Sequence, residues 1–67
     1  MNTLADELPR LQERCRELLE EALSIGPPGA FMVAMLRADL GRAERAAASG
    51  DLGAMVLACK RLQEYQT

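Results

Sequence analysis

The sequence predicts an all-α protein: two to three antiparallel helices, as a helical hairpin or three-helix unit, packing as a dimeric helical bundle. Three observations predict it. Stepping alternately four and three residues from Leu4 lands on Leu8, Leu11, Cys15, Leu18, Ala22 and Ile25, all apolar. That is the heptad seam of a helix packed lengthwise against other helices. Two punctuation marks, Gly26-Pro27-Pro28-Gly29 and Ser49-Gly50-Asp51, then divide the chain into three lengths, none of which shows the period-two alternation of a strand. The dimer is expected from size. Sixty-seven residues fall below the roughly 70–80 at which one core suffices, so small folds turn to disulfides, metals or self-association.

The single helical domain, 1–67, is expected to comprise helix 1 at about 4–25, helix 2 at about 28–48 and helix 3 at about 52–65. Helix 1 opens at Thr3, which with Asp6 forms a capping box with a shorter acid. Asp6 and Glu7 suit the positive end of the helix dipole. Pro9 has no amide proton and crowds the preceding turn, so a start at Thr3 predicts a kink there. A start nearer Asp6 would place Pro9 in the first turn, where it is tolerated; the seam through Leu4 and Leu8 favours the early start. Leu19 and Leu23 widen the seam enough to touch two neighbours. Gly26 takes a left-handed conformation to close the helix, and Pro28 presets the first turn of helix 2. A connection this short folds helix 2 back beside helix 1.

Helix 2 has two apolar faces. Met32, Val33, Leu36, Leu40, Ala43 and Ala47 form one stripe, and Phe31, Met35, Ala38 and Ala46 a second that Arg42 interrupts. From Phe31 to Leu36 it is apolar nearly all round, as in a helix buried on several sides. Gly50 ends helix 2 and Asp51 caps helix 3. Helix 3 turns Leu52, Met55, Val56, Cys59 and Leu62 to one side and Leu57 to the other, with Lys60 and Arg61 near its negative end.

Composition excludes several functions. The chain contains no histidine and two distant cysteines, so a tetrahedral zinc site cannot be completed. No cofactor motif is present, and no cofactor is expected. Cys15 and Cys59 lie at seam positions, where a thiol acts as a small hydrophobe; the alternative is an interchain or regulatory disulfide. Glu13, Glu17 and Glu21 stand one turn apart. General acid–base work wants a buried carboxyl, and this ladder has the pattern of a solvated or intermolecularly paired face. The chain is therefore expected to be no enzyme. The longest uncharged stretch, Ala22 to Leu36, contains the Gly-Pro-Pro-Gly break and cannot span a membrane. With no signal-peptide pattern at the N-terminus, the expected location is the cytoplasm.

The net charge of −2 is unevenly spread: residues 1–25 hold six acids against three arginines, and residues 26–67 five bases against four acids. An acidic helix 1 can meet a more basic partner element. Two resemblances bear on the setting. Ala46-Ala47-Ala48-Ser49-Gly50-Asp51-Leu52-Gly53-Ala54-Met55 resembles the Gly-Asp turn of tetratricopeptide-type helical hairpins, which implies antiparallel pairing of helices 2 and 3; no second copy at a fixed period supports a repeat array. The run Ile25-Gly26-Pro27-Pro28-Gly29-Ala30-Phe31, with Ala34-Met35-Leu36-Arg37-Ala38-Asp39 and Ser49-Gly50-Asp51-Leu52, resembles small uncharacterised helical proteins encoded by tailed phages and prophages. That resemblance implies an accessory protein in a bacterial host cell that binds and modulates a host protein.

Two surfaces follow for function. Phe31, Met35, Ala38 and Arg42 form a strip that the helix 2–helix 3 hairpin does not need. Methionine adapts to varied shapes, and Phe and Arg anchor interfaces; this strip is read as the partner-binding surface, for a second copy of the chain or a host protein. Arg37, Arg45, Lys60 and Arg61, with Arg42 nearby, are read as a basic patch for RNA or DNA. The acidic balance and the lack of stacking aromatics weigh against that alternative, and Asp39 and Glu44, lying among the arginines, are expected to pair with them.

Overall fold

A computed structural model describes residues 3–66; positions 1, 2 and 67 of the expected extent lie outside the described residues. The described residues form three helices, α1 (Leu4–Ile25), α2 (Ala30–Ser49) and α3 (Leu52–Gln63), with 3-10 turns at Pro27–Gly29 and Glu64–Gln66. Thr3 is extended, and its hydroxyl accepts from the Asp6 amide at 3.3 Å while donating to the Asp6 carboxylate at 3.1 Å. The early start at Thr3 therefore wins over one nearer Asp6. Pro9 lies inside α1 on its exposed side. The Ala5 carbonyl that a residue 9 amide would serve is left to water, which makes the proline tolerable at that surface.

The first turn is built differently from the expectation. Gly26 has φ +85° and ψ −146°, a positive-φ region outside the left-handed helical basin and open in practice to glycine alone. Pro27 and Pro28 continue into a 3-10 turn, so α2 begins at Ala30, two residues later than the expected 28. Gly29 is buried, and a Cβ built on it would run into the Ala22 carbonyl oxygen. This glycine lets the start of α2 rest on the backbone of α1's last turns. At the second turn Gly50 is left-handed (φ +72°, ψ +11°) with its amide on the Ala46 carbonyl, and the Asp51 carboxylate caps α3 through the Ala54 amide at 3.2 Å. Helix α3 stops at Gln63, and Glu64 and Tyr65 follow in the 3-10 turn where the expectation ran helix to 65.

Every pair among the three helices is in contact, which makes a compact three-helix bundle. Short turns set α2 antiparallel to both α1 and α3. The core is where the seams meet: Leu8, Leu11 and Cys15 of α1, Leu36 of α2 and Leu62 of α3 are sealed from water. Leu40, Ala43, Ala46, Ala58 and Cys59 extend this cluster, and Leu4, Leu18, Leu19, Met55 and Tyr65 pack on its edge.

The misses cluster at helix ends. Ile25, the last seam position, is 61% exposed, and Leu52, at the first turn of α3, is 68% exposed, each at an end of its helix. Val56, Met32 and Ala47 also face solvent more than their stripes implied, whereas Ala46 is buried. Among the described residues no helix is long and apolar enough to cross a membrane.

Two substitutions test the backbone argument by chemical denaturation. Gly29→Ala should destabilise the fold by about 1–3 kcal/mol, the typical cost of overpacking, since backbone rather than a movable side chain stands in the way. Pro9→Ala should stabilise it, by about 1–3 kcal/mol on the helix-interior proline scale, and should leave the helical circular-dichroism signal intact.

Candidate functional site

Functional geometry on this molecule is a matter of what each helix leaves uncovered. At 100° per residue, Phe31, Met35, Ala38, Arg42 and Arg45 fall within an arc of about 80° on α2. Val33, Leu36, Leu40 and Ala43 occupy the buried side of the same helix. Phe31 is 77% exposed and Met35 40%, with Met32 exposed beside them. Ala38 and Arg42 continue the line, both exposed. The expected strip is thus one surface, apolar toward the start of α2 and cationic toward its end. Next to it, Leu18, Ala22, Ile25, Pro28, Met32 and Tyr65 line a largely apolar hollow of about 430 Å³ at the α1–α2 turn.

Arg42 is anchored from below. Asp39 is buried at the edge of the core, and its two carboxylate oxygens have separate partners: Oδ1 accepts from Arg42 Nη1 at 2.9 Å and Oδ2 from the Tyr65 hydroxyl at 2.5 Å. A buried carboxylate held by a guanidinium and a phenol is satisfied. It also fastens the end of the chain to the middle of α2. Burial, followed by the hydrogen bond to Asp39 and its charge, pushes the Tyr65 phenol well above its ordinary value. Pairing of Asp39 with an arginine was legible in the sequence; its burial and the bond from Tyr65 were not. Glu44, expected to pair likewise, has no ion pair among the described residues.

The predicted basic residues divide. Arg45 and Arg61 join Arg42 around a groove of about 500 Å³ between the second half of α2 and α3. Buried Ala46 and Ala58 form its floor, with Ala54, and Leu57 projects at its side. Arg37 instead lines a hollow beside Leu23, Pro27 and Ala34, and Lys60 is exposed on α3 outside the groove. Among the described residues, Arg37, Arg45, Lys60 and Arg61 have no carboxylate partner. Leu57 was noted in the sequence as lying off the core face of helix 3, and this groove is where it stands.

Across the bundle, Glu13, Arg16, Glu17, Glu20 and Glu21 line an open depression formed by α1 alone. Arg16 pairs loosely with Glu13 at 3.6 Å and Arg14 with Glu17 at 3.7 Å. These carboxylates are exposed on the outer face of α1, whereas general acid–base work wants an enclosed carboxyl. Cys15 and Cys59 are free and buried, Cys15 donating weakly to the Leu62 carbonyl at 3.7 Å. Burial pushes both thiols up, which suppresses the nucleophilic thiolate. Among the described residues no group of three His, Cys, Asp or Glu side chains could hold a metal ion. Comparison with family models, with curated proteins and with solved structures finds no match to this chain. The surfaces themselves therefore carry the functional argument.

Tyr65 supplies a test of the Asp39 clasp. Tyr65→Phe strands one oxygen of a buried carboxylate and should cost about 1–3 kcal/mol of stability. The folded phenol has the higher pKa, so its contribution is complete below the ordinary value of 10.0 and is lost as pH rises beyond it. The chain has one tyrosine and no tryptophan, so ultraviolet titration reads this residue directly. Phenolate should appear at higher pH than in free tyrosine, and the alkaline loss of stability should shrink in the Phe variant.

Proposed function

We propose that the protein is a small non-catalytic protein–protein interaction module that self-associates through the apolar beginning of α2, with Phe31 and Met35 at the centre of the interface. The observation that carries this is the 77% exposure of Phe31 on a bundle whose core is closed without it. Covering such a side chain contributes about 1.5–3 kcal/mol, and a C2 dimer covers it twice. Ala30 to Leu36 carries no charge, so two copies of this face meet without like-charge conflict, as an isologous contact requires. The small core supplies the motive, because a cluster of a few leucines, alanines and cysteines leaves a bundle marginal by itself.

The setting we infer, a phage or prophage accessory protein acting on a host protein in a bacterial cytoplasm, is supported by the sequence resemblance alone. A host protein is the second occupant that the same face would suit, given its exposed methionines. The alternative of a dimeric nucleic-acid binder finds less support. Arg37 and Lys60 stand outside the groove that gathers Arg42, Arg45 and Arg61, and the exposed aromatic, Phe31, stands at the far end of α2.

Sedimentation equilibrium tests the proposal. The wild-type chain should be dimeric at micromolar concentration, and Phe31→Asp, placed at an exposed position, should be a folded monomer. A wild type that stays monomeric, or a variant that stays dimeric, would assign the face wrongly.

A further inference from the structure

A second surface of α2 and α3 answers to a different chemistry. We infer that the groove between Arg42, Arg45 and Arg61 is a docking site for an acidic amphipathic helix supplied by another protein. The observation behind it is a shape and a charge that fit such a segment together. The floor is Ala46, Ala54 and Ala58, two of them buried in the bundle. Small residues on both flanking helices let a third backbone approach at the short end of the 8–10 Å range for packed helices. Leu57, 65% exposed, offers that helix an apolar contact. The three guanidinium groups surround this floor from both sides, two from α2 and one from α3.

The charges are available. Arg45 and Arg61 have no carboxylate within ion-pair distance among the described residues, whereas Arg42 is held by Asp39. Arg42 therefore serves as a fixed donor and the other two as free ones. From residue 42 to residue 49 the groove's α2 wall runs roughly 10 Å at 1.5 Å per residue, room for about two turns of the incoming helix. An apolar side chain every turn would rest on the alanines, with carboxylates beside it reaching the arginines. Bidentate recognition of carboxylates is what guanidinium groups do well.

Other occupants fit less well. A phosphodiester backbone would satisfy the arginines but leave the alanine floor and Leu57 uncovered, and no aromatic lines the groove for base stacking. A second copy of this chain has an acidic ridge on α1, but that ridge lies on the opposite side of the triangular bundle from the α2–α3 groove. Such pairing runs head to tail, leaves a free groove and a free ridge at the two ends, and extends into filaments rather than a closed dimer.

The probe is a labelled synthetic helix of about 20 residues, past the roughly 12–15 below which isolated helices are marginal, with leucine at positions one turn apart and glutamate on the flanks; its twin carries lysine in place of every glutamate. Fluorescence anisotropy should show the acidic helix binding at least about tenfold more tightly than its twin, with strong salt dependence. Arg45→Glu combined with Arg61→Glu should abolish that binding, and Leu57→Ser should weaken it. Circular dichroism confirms that each variant is folded, and Phe31→Asp should bind the acidic helix like the wild type. Equal affinity for the two helices overturns the assignment, as does binding that survives the double arginine variant. Competition by single-stranded RNA through the same arginines would make the occupant a nucleic acid. Arginine-dependent growth of the protein alone into filaments would make it a neighbouring α1. Either result overturns the proposal as well.

Discussion

Four leucines in mutual packing hold this molecule together, Leu8 and Leu11 from α1, Leu36 from α2 and Leu62 from α3, with Cys15 beside them. All are sealed from water. Because each helix contributes, no pair of helices has this core without the third. Around it the interior thins quickly, to alanines at 43, 46 and 58 and to half-covered side chains at the ends. A bundle of this size has no second layer to absorb a misplaced side chain, so its remaining specificity comes from backbone devices. Gly29 against Ala22 fixes how closely α2 follows α1, and the left-handed Gly50 with its Asp51 cap fixes how α3 returns.

The same thinness explains the polar clasp at Asp39. A carboxylate at the border of a small core is costly unless each oxygen is matched, and here one oxygen takes a guanidinium and the other a phenol. The arrangement couples the end of the chain to the middle of α2. It also orients Arg42 toward the α2–α3 groove, so a residue that secures the fold also sets one wall of the candidate surface.

Local spacing and residues with special backbone freedom were enough to place the seam from Leu4 to Ala22, the Thr3 and Asp51 caps and the Gly50 turn. At the first turn they missed the conformation of Gly26 and the 3-10 turn that delays α2 to Ala30. Periodicity failed at Ile25 and Leu52, because a heptad repeat says which side of a helix is apolar but not how far along it the packing extends. It placed Phe31, Met35, Ala38 and Arg42 on one face correctly as helical geometry, though spacing alone could not say how much of that face the bundle covers. The basic residues show the same limit. Arg37 and Arg45 lie eight residues apart on one helix, and only the crossing of α3 decides that Arg45 shares a groove with Arg61 while Arg37 does not. Asp39 was the hardest to read: its burial depends on Tyr65, 26 residues away.

A bland account of the arginines is available, namely that they offset helix dipoles. It suffices for Lys60 and is part of the reason for Arg61, both in the last turn of α3 where cations complement the partial negative charge. It does not suffice for Arg42 and Arg45. The last turn of α2 contains no basic residue, and the dipole effect fades within one turn. Arg42 is accounted for by Asp39, but Arg45 has no carboxylate within ion-pair distance among the described residues. An uncompensated cation beside an alanine-floored groove, on a protein of net negative charge, makes sense as a contact reserved for something outside the chain.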